Sequence, residues 1–108
     1  MTATMSRHLC QERTERPVFI LMTLGMGEPV RTRRSDTKEG ITLVLTSTGV
    51  ILVRNDSTSK IITMYYATMK EASWIAGGRM TDSVYNRIIK NTKAGYIKKQ
   101  NEIIFRKK

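Results

Sequence analysis

Three β-rich runs in close succession, Ile41 to Thr46, Val50 to Arg54 and Lys60 to Tyr66, constrain the fold of this chain more than any other feature. Each is rich in β-branched and aromatic residues, which suit a pleated, half-buried surface. Ser47, Thr48 and Gly49 have the composition of a short hairpin turn, and Asn55 to Ser59 that of a five-residue polar loop. The expectation is a three-stranded antiparallel meander. Val30 to Arg34 is short enough and polar enough to add a fourth, basic strand at its edge. A sheet of this size needs a cover, and the flanking segments can supply helices for it.

On the N-terminal side, Ser6 to Arg16 alternates Glu and Arg and predicts a short surface helix with Ser6 as a candidate N-cap. Val18 to Leu24 is apolar almost throughout. Its β-branched start favours a strand, whereas Pro17 before it and Gly25 after it favour a buried helix of two turns, the preferred assignment. On the C-terminal side, Ala67 to Ile75 predicts a helix broken by Gly77 and Gly78, and Thr81 begins another. There Val84, Tyr85, Ile88 and Ile89 form a stripe expected to face the core, with Arg87, Lys90 and Lys93 outside. Tyr96 to Lys108 is a basic tail whose apolar centre, Ile103 to Phe105, suits a last strand or a docking segment. The fold class expected is α+β: N-terminal helices on a three- to four-stranded antiparallel sheet, with C-terminal helices. At 108 residues one domain with one hydrophobic core is expected.

Charge is distributed unevenly. Residues 1–59 carry eight Lys and Arg against six Asp and Glu, net +2, whereas residues 60–108 carry eleven against three, net +8. Such a field concentrates polyanions, so RNA, DNA or an acidic partner protein are the expected ligands; a charge kept for solubility is the plainer alternative. Arg31, Arg33, Arg34, Arg87, Lys90, Lys93, Lys98 and Lys99 are the residues expected to bind RNA. Cys10 is the single cysteine, which excludes an intramolecular disulfide and a cysteine zinc site and fits a reducing, cytoplasmic setting. The longest apolar run, Val18 to Met26, falls short of a membrane span, and Met1 to His8 lacks a signal-peptide core.

Scattered single carboxylates argue against a Mg²⁺-dependent nuclease or phosphatase, and no phosphate-binding glycine loop is present. No metal or cofactor is expected. His8 is the only histidine. It is either a group that titrates near neutrality or an incidental surface residue. On a helix it shares a broad face with Glu12 and Arg16, which suits either a phosphate held between His8 and Arg16 or a solvated stripe of ion pairs. Alternation along a strand puts Ile61, Thr63 and Tyr65 on one side and Ile62, Met64 and Tyr66 on the other. Thr63 and Tyr65 then either meet a phosphate and stack on a base, or simply pack.

The order of these pieces is a helix bearing His8, Arg13 and Arg16, a short apolar helix ending in Gly, a basic strand, the meander, and Ile61-Ile62-Thr63-Met64-Tyr65. Over residues 6–67 it resembles the barnase, EndoU, colicin and RelE superfamily of metal-independent ribonucleases, in particular its small toxin and phage members. The resemblance implies endonucleolytic RNA cleavage by attack of the substrate's own 2′-hydroxyl. It implies His8 as acid or base, Arg13 or Arg16 together with Arg54 around the phosphorane, and Thr63 and Tyr65 orienting the phosphate. His8 and Arg13 are five apart where the family often has four, so Arg13 and Arg16 both stand for that position. Residues 68–108 lie outside the pattern and suit a basic appendage that binds substrate or an acidic antitoxin or inhibitor, or serves assembly. The alternative in another class is a non-catalytic RNA- or DNA-binding, or protein-inhibiting, module of the same fold.

Overall fold

A computed structural model of the chain describes residues 4–5, 25 and 27–106. The elements run β1 (Thr4–Met5), β2 (Pro29–Arg34), β3 (Ile41–Thr46), β4 (Val50–Asn55), β5 (Lys60–Tyr66), α1 (Met69–Ala76), α2 (Asp82–Lys93) and α3 (Tyr96–Arg106). β2 to β5 form the antiparallel meander, including the basic edge strand, and β1 pairs in parallel with β5 at the opposite edge, giving the order β1-β5-β4-β3-β2. Among the described residues the strands come first and every helix follows the sheet. The helices expected over Ser6 to Arg16 and Val18 to Leu24 lie outside the described residues.

Local chemistry accounts for the connections. The β3–β4 turn closes with Gly49 N–H donating to the Thr46 carbonyl at 3.1 Å, and Gly49 takes the left-handed φ of 76° that three-residue hairpins require of their last loop residue. Asn55 Oδ1 accepts from Ser57 N–H at 2.9 Å and Thr58 N–H at 3.3 Å, a side chain standing in for the backbone in the β4–β5 turn. Thr68 and Thr81 cap α1 and α2, accepting from Glu71 N–H and Val84 N–H respectively.

The sheet is covered on both faces, so two apolar clusters replace the single core expected. One joins Leu45, Ile51 and Ala67 of the sheet side to Ala72, Ile75 and Ala76 of α1 and Val84 and Ile88 of α2. On the other face Val44, Val50, Leu52, Ile61, Met64 and Tyr66 meet Tyr96 and Ile97 of α3. Tyr96 stacks on Tyr66 with ring centroids 5.1 Å apart. Gln100, buried on the same helix, accepts from Tyr66 N–H at 2.7 Å. Ala67 N–H bonds to Gly49 carbonyl, which puts alternate β5 amides, Tyr66 among them, on the outer edge; β1 is too short to reach there, and Gln100 satisfies that amide instead.

Three expectations are corrected at this level. Tyr96–Arg106 forms a helix, not a strand or tail: Gly95 (φ 80°) ends α2, and its carbonyl then accepts from Lys99 N–H in the first turn of α3. The stripe on α2 is narrower than periodicity suggests, with Val84 and Ile88 buried, Ile89 half-buried and Tyr85 42% exposed. Asn91 takes the inward place instead, donating to the Thr48 carbonyl at 2.9 Å, while Arg87, expected outside, is half-buried. Finally, Ile61 does not share a face with Thr63 and Tyr65. The β4–β5 register steps from Val53↔Thr63 to Arg54↔Ile61, so Ile62 is the extra residue of a bulge and Ile61 turns to the side of Met64 and Tyr66.

Candidate nucleic-acid interface

The sequence-predicted catalytic set is divided by the sheet. His8, Arg13 and Arg16 lie outside the described residues. Tyr65 belongs to the face covered by α1, where its hydroxyl donates to Glu71 Oε2 at 2.8 Å, and Thr63, two residues away in the strand, is on the same side. Glu71 stands three residues after the cap of α1, the place from which a glutamate usually bonds back to the cap's own N–H; here it reaches Tyr65. Arg54 pairs across the sheet with Thr42, on the face that α3 covers. Its Nε is 3.6 Å from Asp56 Oδ1, the oxygen that also accepts from Thr42 Oγ1 at 2.7 Å. The described residues therefore bring Thr63 and Tyr65 together and keep Arg54 away from them.

The residues expected to bind RNA fall into two groups. Arg31, Arg33 and Arg34 are all exposed on the edge strand β2, Arg31 and Arg33 toward α1 and Arg34 toward the opposite face by strand alternation. Arg33 is also tied into the fold: its Cζ lies 4.4 Å from the Trp74 ring centroid and its Nη1 donates to the Trp74 carbonyl at 2.9 Å. α1 has no basic residue in its own last turn, so Arg33 supplies from β2 the cation that a helix C-terminus favours.

The second group sits where the chain wraps from one sheet face to the other. The C-terminal half of α2 lies over the β3–β4 turn, through Asn91 on Thr48 and Ile88 beside Gly49, and α3 then covers the far face. Lys90 and Lys93 at the end of α2 and Lys98 and Lys99 at the start of α3 are all exposed around this corner. From Ser83 to Asn101 the chain carries Arg87 and these four lysines and no acidic residue at all. The stretch supplies no counter-charge of its own.

Two clefts offer chemistry of a different kind. One of about 560 Å³ opens at the β2–β3 turn, where Arg34 and Lys38 face Asp36, Glu39 and Asp56; three carboxylates against two cations do not make an anion site. The second, of about 310 Å³, is lined by Thr68, Lys70, Glu71 and Trp74. Among the described residues no group of three or more His, Cys, Asp or Glu could hold a metal ion, and no helix is long and apolar enough to cross a membrane. Lys70 and Trp74 were not singled out in the sequence; a tryptophan one helical turn after a lysine was the available signal.

The class that the described residues define is a mixed α/β fold, four antiparallel strands with a short parallel fifth and three helices, with a lysine-rich helical corner. Comparison with protein-family models, with curated proteins and with solved structures finds no match.

Proposed function

We propose that the chain binds RNA through the lysine-rich surface where α2 turns into α3. The observation that carries this is the run from Ser83 to Asn101, in which Lys90, Lys93, Lys98 and Lys99 all stand exposed with no carboxylate among them. Exposed ammonium groups on two joined helices are available to a phosphate backbone, and neutralising phosphates releases condensed counterions. The β2 arginines extend the positive surface at the sheet edge. An acidic antitoxin or inhibitor protein would compete for the same cations, and a cytoplasmic setting suits both partners. The test is the anisotropy of a labelled single-stranded RNA as salt is raised. Affinity should fall by orders of magnitude between about 50 and 200 mM salt, as expected for several phosphate contacts. A flat response removes the proposal.

A second function, metal-independent endoribonuclease of the toxin or phage type, has one specific observation in its favour. Thr63 and Tyr65 share a sheet face in a basic-edged antiparallel meander, the arrangement the family resemblance implies. Catalysis of this kind requires the segment 6–24 to form helices that bring His8 and Arg13 or Arg16 to that face, because Arg54 stands on the other. It also requires Tyr65 to leave Glu71 for the phosphate. Incubating the protein with mixed RNA and EDTA should then yield 2′,3′-cyclic phosphate ends, and His8→Ala should lose about 10²- to 10⁴-fold in rate while retaining RNA affinity. Intact RNA, with and without divalent metal, leaves RNA binding alone as the function.

A further inference from the structure

Trp74 is the only tryptophan of the chain, and its position on α1 is unlike that of the sheet-facing tyrosines. Tyr66 is fully buried, Tyr96 is stacked on it, and Tyr65 is fixed by Glu71. Trp74 is half-buried: it packs on the cluster beneath α1 and also lines an open cleft of about 310 Å³ with Thr68, Lys70 and Glu71. That volume is at the lower end of the ~300–1,000 Å³ typical of clefts that hold small organic ligands. Arg33 lies over the indole at 4.4 Å and is itself anchored on the Trp74 carbonyl, so the ring is held in place from the β2 side. Exposed Lys70 lines the cleft together with the Glu71 carboxylate, and on β2 Arg33, against Trp74, has exposed Arg31 two residues before it on the same strand face.

We propose that this cleft takes one unstacked nucleobase of a single-stranded RNA, stacked on Trp74, while Lys70 and the β2 arginines hold the adjoining phosphates. The proposal rests on the RNA-binding function above and deepens it by naming where a base, as distinct from the backbone, is bound. A fixed indole beside cations is the combination used for sequence-tolerant recognition of single strands: the ring stacks on any base, and charge holds the chain on either side. An immobilised ring loses little freedom on binding, so more of the stacking energy appears as affinity. A duplex, whose bases are already stacked, would gain only the charge contacts.

The test uses the full chain and the emission of Trp74 itself. A short single-stranded oligoribonucleotide and inorganic polyphosphate, which carries charge without bases, are titrated in parallel, with anisotropy of a labelled RNA as an independent measure of binding. RNA should quench Trp74 emission in step with the anisotropy change, and polyphosphate should displace the RNA and restore the emission. Trp74→Leu should weaken RNA binding by about 5- to 150-fold, the equivalent of one stacked base, with polyphosphate affinity unchanged, and Trp74→Phe should recover most of the loss. Should Trp74→Leu fail to fold by circular dichroism, the wild-type titrations decide alone. RNA that binds by anisotropy without quenching, or polyphosphate that quenches as RNA does, overturns the stacking site and leaves RNA binding standing. RNA that does not bind at all removes both.

Discussion

Replacing Gly49 with alanine should be among the most damaging single-methyl additions this chain can suffer, and the structure says why. Gly49 closes the β3–β4 turn at φ 76°, and a Cβ there would sit 2.7 Å from Asn91 Nδ2 and 3.2 Å from Ile88 Cγ1 of α2. Three costs combine. The left-handed backbone costs an L-residue about 1–2 kcal/mol. The clash with Ile88, which is fully buried, forces an overpacking adjustment of about 1–3 kcal/mol. Moving Asn91 breaks its 2.9 Å bond to the Thr48 carbonyl and strands buried amide atoms, worth about 1–3 kcal/mol. The three share one displacement and do not sum in full, so a loss of about 3–5 kcal/mol is expected, a large part of the ~5–15 kcal/mol that a domain has to lose.

Gly77 is the control. It caps α1 at φ 60° with nothing within 4 Å of an added Cβ, so Gly77→Ala carries only the backbone cost, about 1–2 kcal/mol. Urea denaturation of both variants isolates the steric cost, since equal slopes make the difference in midpoints a difference in stability. A Gly49→Ala, Asn91→Ala double variant should show a favourable coupling of about 0.5–3 kcal/mol, because the second change removes the atom the methyl strikes. If Gly49→Ala and Gly77→Ala agree within about 0.5 kcal/mol, α2 does not sit on the turn as described, and the corner that carries the lysines is misplaced with it.

Gln100→Ala leaves the Tyr66 amide at the sheet edge without its acceptor; a loss of about 1–3 kcal/mol is expected, with faster hydrogen exchange at that amide. Leu52→Ala, at a fully buried position under α3, should cost about 2–5 kcal/mol in chemical denaturation, and Val53→Ala, half-buried on the other face, clearly less. Lys98→Ala with Lys99→Ala should weaken RNA binding and lower the salt slope by about 0.7 for each single-strand phosphate no longer neutralised, with a change in stability of no more than about 1 kcal/mol because both side chains are exposed.

The strands were legible because their signal is local: β-branched runs divided by Ser47-Thr48-Gly49 and by Asn55-led turn chemistry dictate a meander whatever surrounds it. The start of α2 was legible for the same reason, in Thr81, whereas the helix expected from Ala67 begins at Met69, after its cap Thr68. What escaped depends on pairing between distant residues. β1 is two residues long and exists through β5, fifty-odd positions later in the sequence. The bulge at Ile62 is a property of the β4–β5 pairing, yet it reverses which face Ile61 occupies. α3 carries an Ile-Ile-Phe run that favours a strand by propensity, but Tyr96, Ile97 and Gln100 fall at helical spacing on the side that meets β5.

The exposed charge was legible for a simpler reason: lysines and arginines identify themselves by charge and need no particular neighbour. A catalytic constellation needs convergence, and convergence is decided by strand parity. Arg54 is separated from Thr63 and Tyr65 by the sheet itself, which residue type could not reveal. Trp74 escaped because its partner Arg33 is 41 residues away.

With both faces of the sheet covered, binding of a long polyanion is left to the periphery, and the two basic groups there do different work. β2 is an edge strand. The register with β3, in which Ser35 N–H bonds to the Ile41 carbonyl, turns the amides of Arg31 and Arg33 inward and those of Thr32 and Arg34 outward. An open edge of this kind invites pairing with a second copy of itself, and arginines on both sides of the strand oppose that by like-charge repulsion. Part of the charge on β2 therefore serves to keep the edge unpaired, and Arg33 serves the end of α1 as well. The lysines of the α2–α3 corner contribute to neither apolar cluster, although Lys90 and Lys93 also supply the cations of the last turn of α2. If the chain binds RNA as proposed, exposed charge on helices outside the apolar clusters is the portion of the +10 most accessible to it, so affinity should respond to Lys98 and Lys99 before it responds to Arg33.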